Sequence, residues 1–180
     1  MKRKFITMVS ALFILSTTIF AIAETTWETL NDEGGKFYEQ GKFADAIDRW
    51  TKAIEKIPDN NKMGKATLFF NRAYAYLHTG QMNKALEDFN TSISLNPNFA
   101  RAYNGRGMAY LFLRKGRQVA GKDFTKAIEL DPNYAEAYVN RAALYKAQGD
   151  EQEWQNDLKK ACDLGSKSSC EELKASAESK

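Results

Sequence analysis

From Ala73 to Pro97 the chain reads AYAYLHTGQMNKALEDFNTSISLNP: apolar residues at helical spacing, a glycine, a second amphipathic run and a closing Asn-Pro. The phrase returns from Gly107 to Pro132 as GMAYLFLRKGRQVAGKDFTKAIELDP, with the closing prolines 35 residues apart. A period in the mid-thirties with two helices per unit marks a helical repeat array. One helix pair cannot bury its own apolar face, so the chain is predicted to fold as a stack of pairs.

Two further units flank these. The first runs from Thr26 to Pro58, with Leu30, Gly34 and Phe37 on one helix face. Gly41 breaks it, and Phe43, Ala46, Ile47, Trp50, Ala53 and Ile54 form the stripe of its second helix. A polar insertion, Asp59 to Lys65, follows as a longer loop or an extended helix start. The second unit carries Phe69, Ala73 and Tyr76, then Gly80, then Ala85, Phe89 and Ile93. The third carries Tyr103, Gly107 and Tyr110, a loop around Gly116, then Ala120, Phe124, Ala127 and Ile128. In the fourth, Tyr138, Ala142, Tyr145 and Gly149 precede Trp154, Leu158 and Ala161. The glycines suit left-handed turns after each first helix, and the X-Pro pairs end the second helices of the first three units.

These columns resemble the tetratricopeptide repeat, whose helix pairs of 34 residues carry a small residue early in each helix, aromatics a few residues on and a closing proline. The resemblance implies an all-α fold: an α-solenoid of about four helix-turn-helix repeats, near residues 26–58, 65–98, 99–133 and 134–165, plus a short capping helix and tail over 166–180. The fourth repeat departs from the pattern. Trp154 stands where Ala46, Ala85 and Ala120 are small, and the closing proline is missing, as expected of a terminal unit.

Comparing the repeats brings out a charge pattern. Arg72, Arg106 and Arg141 share one column on the first helices; Asp88, Asp123 and Asp157 share one on the second. In the first repeat the same columns hold Glu33 and Arg49, the signs exchanged. The exchange predicts an ion pair between the two helices of each unit.

Formal net charge is +3, from 26 basic and 23 acidic residues. Lys2, Arg3 and Lys4 account for all of it, since 26 − 3 = 23, so the body is neutral and a nucleic-acid footprint is not expected. Residues 1–23 read as a signal peptide: that basic start, an apolar stretch from Phe5 to Phe20, and Ala21-Ile22-Ala23 before Glu24. Cleavage there implies an exported chain, periplasmic or secreted. The alternative is an uncleaved anchor, because Phe5 to Ala23 is 19 uncharged residues; the chain is then a membrane-held structural subunit.

Cys162 and Cys170 are the only cysteines, and an even count in an exported protein favours a disulfide. Gly165 is predicted to end the last repeat helix, and Ser169 with Glu172 to form a capping box for the next. The ACDLG phrase is similar to the bridged helical repeats of secreted Sel1-like cysteine-rich proteins.

The sequence offers little for catalysis: one histidine, His78, before a helix-ending Thr79-Gly80, and no phosphate-cradling glycine loop after a strand. No enzyme, cofactor or metal site is expected. The resemblance implies instead a concave groove lined by the first helices, binding a protein or extended peptide. Its candidate columns are Asn31, Asp32 and Tyr38; Phe70, Asn71 and Tyr74; Arg101, Asn104, Met108 and Phe112; and Val139, Asn140 and Lys146. Tyr74 and Phe112 are candidates for shared core as well. Some members of the family clamp a C-terminal carboxylate with Lys, Asn and Arg; here only Asn71 and Arg101 fit those columns, so such a clamp is not implied.

Overall fold

Thr26 Oγ1 accepts the backbone N–H of Thr29 at 3.3 Å and starts helix α1, Trp27–Glu39. The computed structural model describes residues 25–113 and 116–178; the segment 1–23, read above as a signal peptide, and two residues beside Gly116 lie outside them. After α1 come α2 (Phe43–Lys56), α3 (Lys62–His78), α4 (Met82–Leu95), α5 (Ala100–Phe112), α6 (Arg117–Leu130), α7 (Ala135–Gln148), α8 (Glu151–Asp163) and α9 (Lys167–Glu178). Among the described residues there is no strand. The all-α solenoid expected from the sequence is the fold.

Each helix packs on its neighbours in the chain, and α1·α3, α3·α5 and α5·α7 also touch. The odd helices therefore line one continuous face, and the even helices form the other. Small residues set the spacing within pairs. A Cβ built on Gly34 would lie 2.6 Å from the Trp50 ring, and one on Gly107 2.6 Å from Phe124. Ala46, Ala85 and Ala120 are fully buried, as are Phe89 and Phe124. Trp154 does replace a small residue in the fourth repeat, and it fills the seam among Ala142, Leu158, Tyr145 and Leu173.

Local details both follow and depart from the sequence reading. Gly41, Gly80, Gly149 and Gly165 have φ between +73° and +96°, as left-handed turns require. Gly116 does not: its φ is −141°, and it is small because Tyr110 lies where a Cβ would go, at 2.9 Å. The insertion at Asp59–Lys65 is half loop and half helix. Asn61 Oδ1 accepts from the Gly64 N–H at 3.0 Å, so α3 starts at Lys62 and runs 17 residues. The Ser169–Glu172 capping box is absent. Helix α9 begins earlier, at Lys167, with the Ser166 hydroxyl accepting from the Ser169 N–H at 3.4 Å. Ser169 is buried inside the first turn, and Glu172 faces Lys146 instead, 2.6 Å away.

The charge columns pair as the exchanged signs require. Arg72 Nε and Nη2 donate to Asp88 at 2.7 and 2.9 Å. Arg106 does the same with Asp123 at 2.8 and 2.7 Å, and Arg141 with Asp157 at 2.8 and 2.9 Å. In the first repeat Arg49 approaches Glu33 at 3.3 Å across the same helix pair. At the C-terminal end the Cys162 and Cys170 sulfurs stand at bonding distance, with Cα atoms 4.8 Å apart, linking α8 to α9.

Candidate functional site: a groove on the inner face

Tyr38, Phe70, Asn71, Tyr74 and Arg101 come together around one cavity of ≈ 420 Å³ on the face of the odd helices. Gly35 and Glu39 of α1, Trp50 of α2, and Tyr134 and Glu136 at the start of α7 complete its lining. Its apolar wall is a ring cluster. Phe70 lies 4.9 Å from Tyr74 and 4.7 Å from Phe99, and Tyr74 meets Phe89 edge-on at 5.5 Å. Gly105 makes room for this cluster, since a Cβ there would be 2.5 Å from Phe89 and 3.0 Å from Tyr74.

Beside the rings runs a repeated amide contact. Asn31 Oδ1 accepts from Trp50 Nε1 and from Asn71 Nδ2, both at 3.2 Å. Two repeats on, Asn104 Oδ1 accepts from Asn140 Nδ2 at 2.9 Å. The donors Asn71 and Asn140 occupy one repeat column, and the acceptors Asn31 and Asn104 the column before it. Asn104 also donates to Tyr134 Oη and Glu136 Oε1, each at 3.2 Å. The amides thus hold first helices in register while the groove floor stays polar.

Burial pushes the Tyr74 hydroxyl above the usual phenol value, with the Tyr134 and Glu136 charges adding to it. Tyr134 is raised by its own burial and by adjacent Glu136. Tyr38 is raised by burial and, more weakly, by Glu136. The groove phenols are therefore held toward their neutral, donating form. Charge sits at the rim: Arg101, Glu39 and Glu136 are exposed, and Arg101 makes no ion pair among the described residues.

Other candidates fall elsewhere. Asn104 is completely buried, so it positions Tyr134 and Glu136 and cannot itself meet a ligand. Asn31 accepts from Trp50 and Asn71 through its side-chain carbonyl and Asn140 donates to Asn104, and neither lines the cavity. Met108 packs on the core with Phe124, because its column turns toward α6. Phe112 is neither shared core nor cavity lining: it ends α5 with 60% of its surface exposed. Lys146 is drawn to Glu172 and over the Trp154 ring at 4.6 Å. His78 stacks flat on Phe43 at 4.3 Å and meets Tyr38 edge-on at 5.4 Å.

Sequence reasoning misses Tyr134 and Glu136. The signal is present, since Glu136 shares the column of Arg101 and Tyr134 that of Phe99. What brings them to the cavity is the superhelical turn, which folds the α7 start back over the α3–α5 face.

Models of the tetratricopeptide repeat match residues 66–99, 100–134 and 124–153. The solved first tetratricopeptide domain of Spaghetti, bound to the HSP90 peptide SRMEEVD, superposes with a TM-score of 0.62 at 33% identity, covering 69% of this chain and 94% of that one. The chain belongs to the tetratricopeptide repeat family. A thermophilic tetratricopeptide protein of Thermus thermophilus shares the fold, with a TM-score of 0.69 at 21% identity over 78% of this chain and 75% of that one. Human RNA polymerase II-associated protein 3 is 36% identical over 86 residues, 48% of this chain. The chain spans only 12% of the length of that relative.

Proposed function

We propose that this chain is a non-enzymatic scaffold that binds an extended segment of a partner protein across α1, α3, α5 and α7. The observation that carries the reading is the aromatic cavity with Arg101 at its rim, a cation that makes no ion pair among the described residues. Phe70 and Tyr74 offer apolar surface, the Asn71 carbonyl and the Tyr38 hydroxyl offer polar contacts to a peptide backbone, and Arg101 offers a charge to an acidic group. The peptide-bound state of the similar Spaghetti domain supports a peptide segment as the kind of partner. The reading includes export: residues 1–23 serve as a cleaved signal peptide, and Cys162–Cys170 forms as a disulfide in an oxidising compartment.

Crosslinking pull-down from the native envelope tests it. The wild type is expected to retain partners that Asn71→Ala/Arg101→Glu loses; equal recovery by both removes the groove assignment. Intact mass of the purified protein tests export, with a chain starting at Glu24 expected. A mass that keeps residues 1–23 instead supports the anchored structural subunit.

A further inference from the structure

The three seams between consecutive repeats are not alike. Between α2 and α3, Phe43 stacks on His78 and Ile47 joins the same apolar cluster. Between α4 and α5 the corresponding columns hold Met82 and Leu86, packed with Ala109. Between α6 and α7 they hold Arg117 and Gly121. The column that is Asp48 and Glu87 in the first two repeats becomes Lys122. Leu144, where Ala75 and Ala109 are small, takes up the space above Gly121, at 3.1 Å from a built Cβ. That exchange accounts for the glycine. It does not account for the two cations.

The result is a cleft of ≈ 490 Å³ on the seam of the third and fourth repeats. Arg117, Lys122 and Lys126 line its α6 side, with Leu144, Tyr145 and Gln148 across on α7. Lys126 is held by Glu129 at 3.1 Å. Arg117 and Lys122 are exposed and have no ion-pair or hydrogen-bond partner among the described residues. Asp123, the one acidic residue between them and Lys126, is consumed by Arg106. In a chain whose body is neutral, this is a concentrated positive site built into a groove.

We propose that this cleft is a second docking site, for an acidic extended segment of a partner protein. A helix rise of about 1.5 Å per residue makes the stretch from Arg117 to Glu129 about 18 Å long, room for roughly five extended residues. Carboxylates of the segment meet Arg117 and Lys122, apolar side chains rest on the half-buried Tyr145 ring, and Gln118 and Gln148 bond its backbone. A membrane surface, being flat, reaches the rim of such a groove but not its floor.

The test uses the purified chain, a fluorescent peptide alternating Glu and Leu over about seven residues, and amide chemical-shift mapping. The expected result is binding that shifts the amides of Arg117, Gly121, Lys122 and Leu144. Arg117→Met/Lys122→Glu, which installs the residues of Met82 and Glu87, should weaken it about tenfold or more. Arg117→Lys/Lys122→Arg should retain it, and the inner-groove variant Asn71→Ala/Arg101→Glu should leave it unchanged. The proposal is overturned if the peptide does not bind, if shifts fall only around Arg101, or if a Lys-for-Glu peptide binds equally. It is overturned too if inorganic phosphate shifts the same amides at the same concentration, or if phosphatidylglycerol vesicles capture the chain through Arg117 and Lys122.

Discussion

Arg72 grips Asp88 with two parallel hydrogen bonds, and across the next helix pair Arg106 grips Asp123 in the same way. Both carboxylates are almost fully buried, at 5% and 4% exposure. Each arginine reaches a further partner on the preceding even helix, Thr51 for Arg72 and Asn90 for Arg106. Burial works against the Arg72 charge and Asp88 outweighs it; for Arg106 the Asp123 bond is the larger effect, and both guanidinium values end up raised. The contact thus joins three helices, which makes it a register device for the stack.

Asp88→Ala strands a part-buried guanidinium and is expected to destabilise the chain by about 2–4 kcal/mol, somewhat under the loss for breaking a fully buried pair. The exchange Arg72→Asp/Asp88→Arg should recover part of that, because Glu33 and Arg49 already use the reversed order in the first repeat. Urea unfolding of the single and double variants measures it. Additive losses with no recovery would falsify the register role.

Asn31 is the shared acceptor of Trp50 and Asn71. Asn31→Leu leaves an indole N–H and an amide without that acceptor and should cost about 1–3 kcal/mol. The change in the Trp50 environment gives a fluorescence readout. An unshifted tryptophan emission together with unchanged stability contradicts the amide contact.

Two neighbouring types of helical glycine should respond with opposite signs. At Gly35 a Cβ meets nothing within 4 Å, so Gly35→Ala should raise stability by up to about 1 kcal/mol through helix propensity. At Gly105 the Cβ meets the buried Phe89 ring at 2.5 Å, so Gly105→Ala should lower it by about 1–3 kcal/mol. Thermal melts of the two variants decide.

The phenols of Tyr38, Tyr74 and Tyr134 are raised in the fold relative to the unfolded chain. A raised folded value means that their neutral forms favour the native state fully below the unfolded phenol pKa of about 10, and that this contribution fades as pH climbs beyond it. Absorbance at the tyrosinate band is expected to show these three phenols ionising above the ordinary phenol value. Tyr74→Phe should flatten the alkaline loss of stability. An alkaline titration that Tyr74→Phe leaves unchanged contradicts the desolvated groove floor.

Helix α9 is mostly polar and reaches the apolar cluster of the fourth repeat through Leu173. Reduction of the proposed Cys162–Cys170 disulfide is therefore expected to cost about 2–3 kcal/mol by the loop-closure estimate and to loosen α9 first. Hydrogen exchange with and without dithiothreitol checks it. Unchanged protection over Ser169–Leu173 after complete reduction removes that role for the bond.

Much of the architecture was written along the chain. Periodicity set the helix pairs, and glycine and X-Pro set their ends. The swapped signs at Glu33 and Arg49 named a contact between residues 16 apart, because a repeat array replays one local geometry and lets columns be compared. The same logic went wrong where a residue had two local uses. Ser169 sits in a capping motif by sequence, yet Ser166 starts the helix, since the left-handed turn at Gly165 releases the chain earlier. Which candidates face the groove was decided only by stacking. Asn71 and Asn104 are equally polar, stand in adjacent columns of their helices and look alike by pattern. The superhelical turn covers Asn104 with Tyr134, Glu136 and Asn140 and leaves Asn71 on the cavity wall. Helical period belongs to each segment, whereas burial belongs to the contact between segments. For that reason the stretch from Ala73 to Pro97 determines its own helices and turn and leaves its burial and its function to its neighbours.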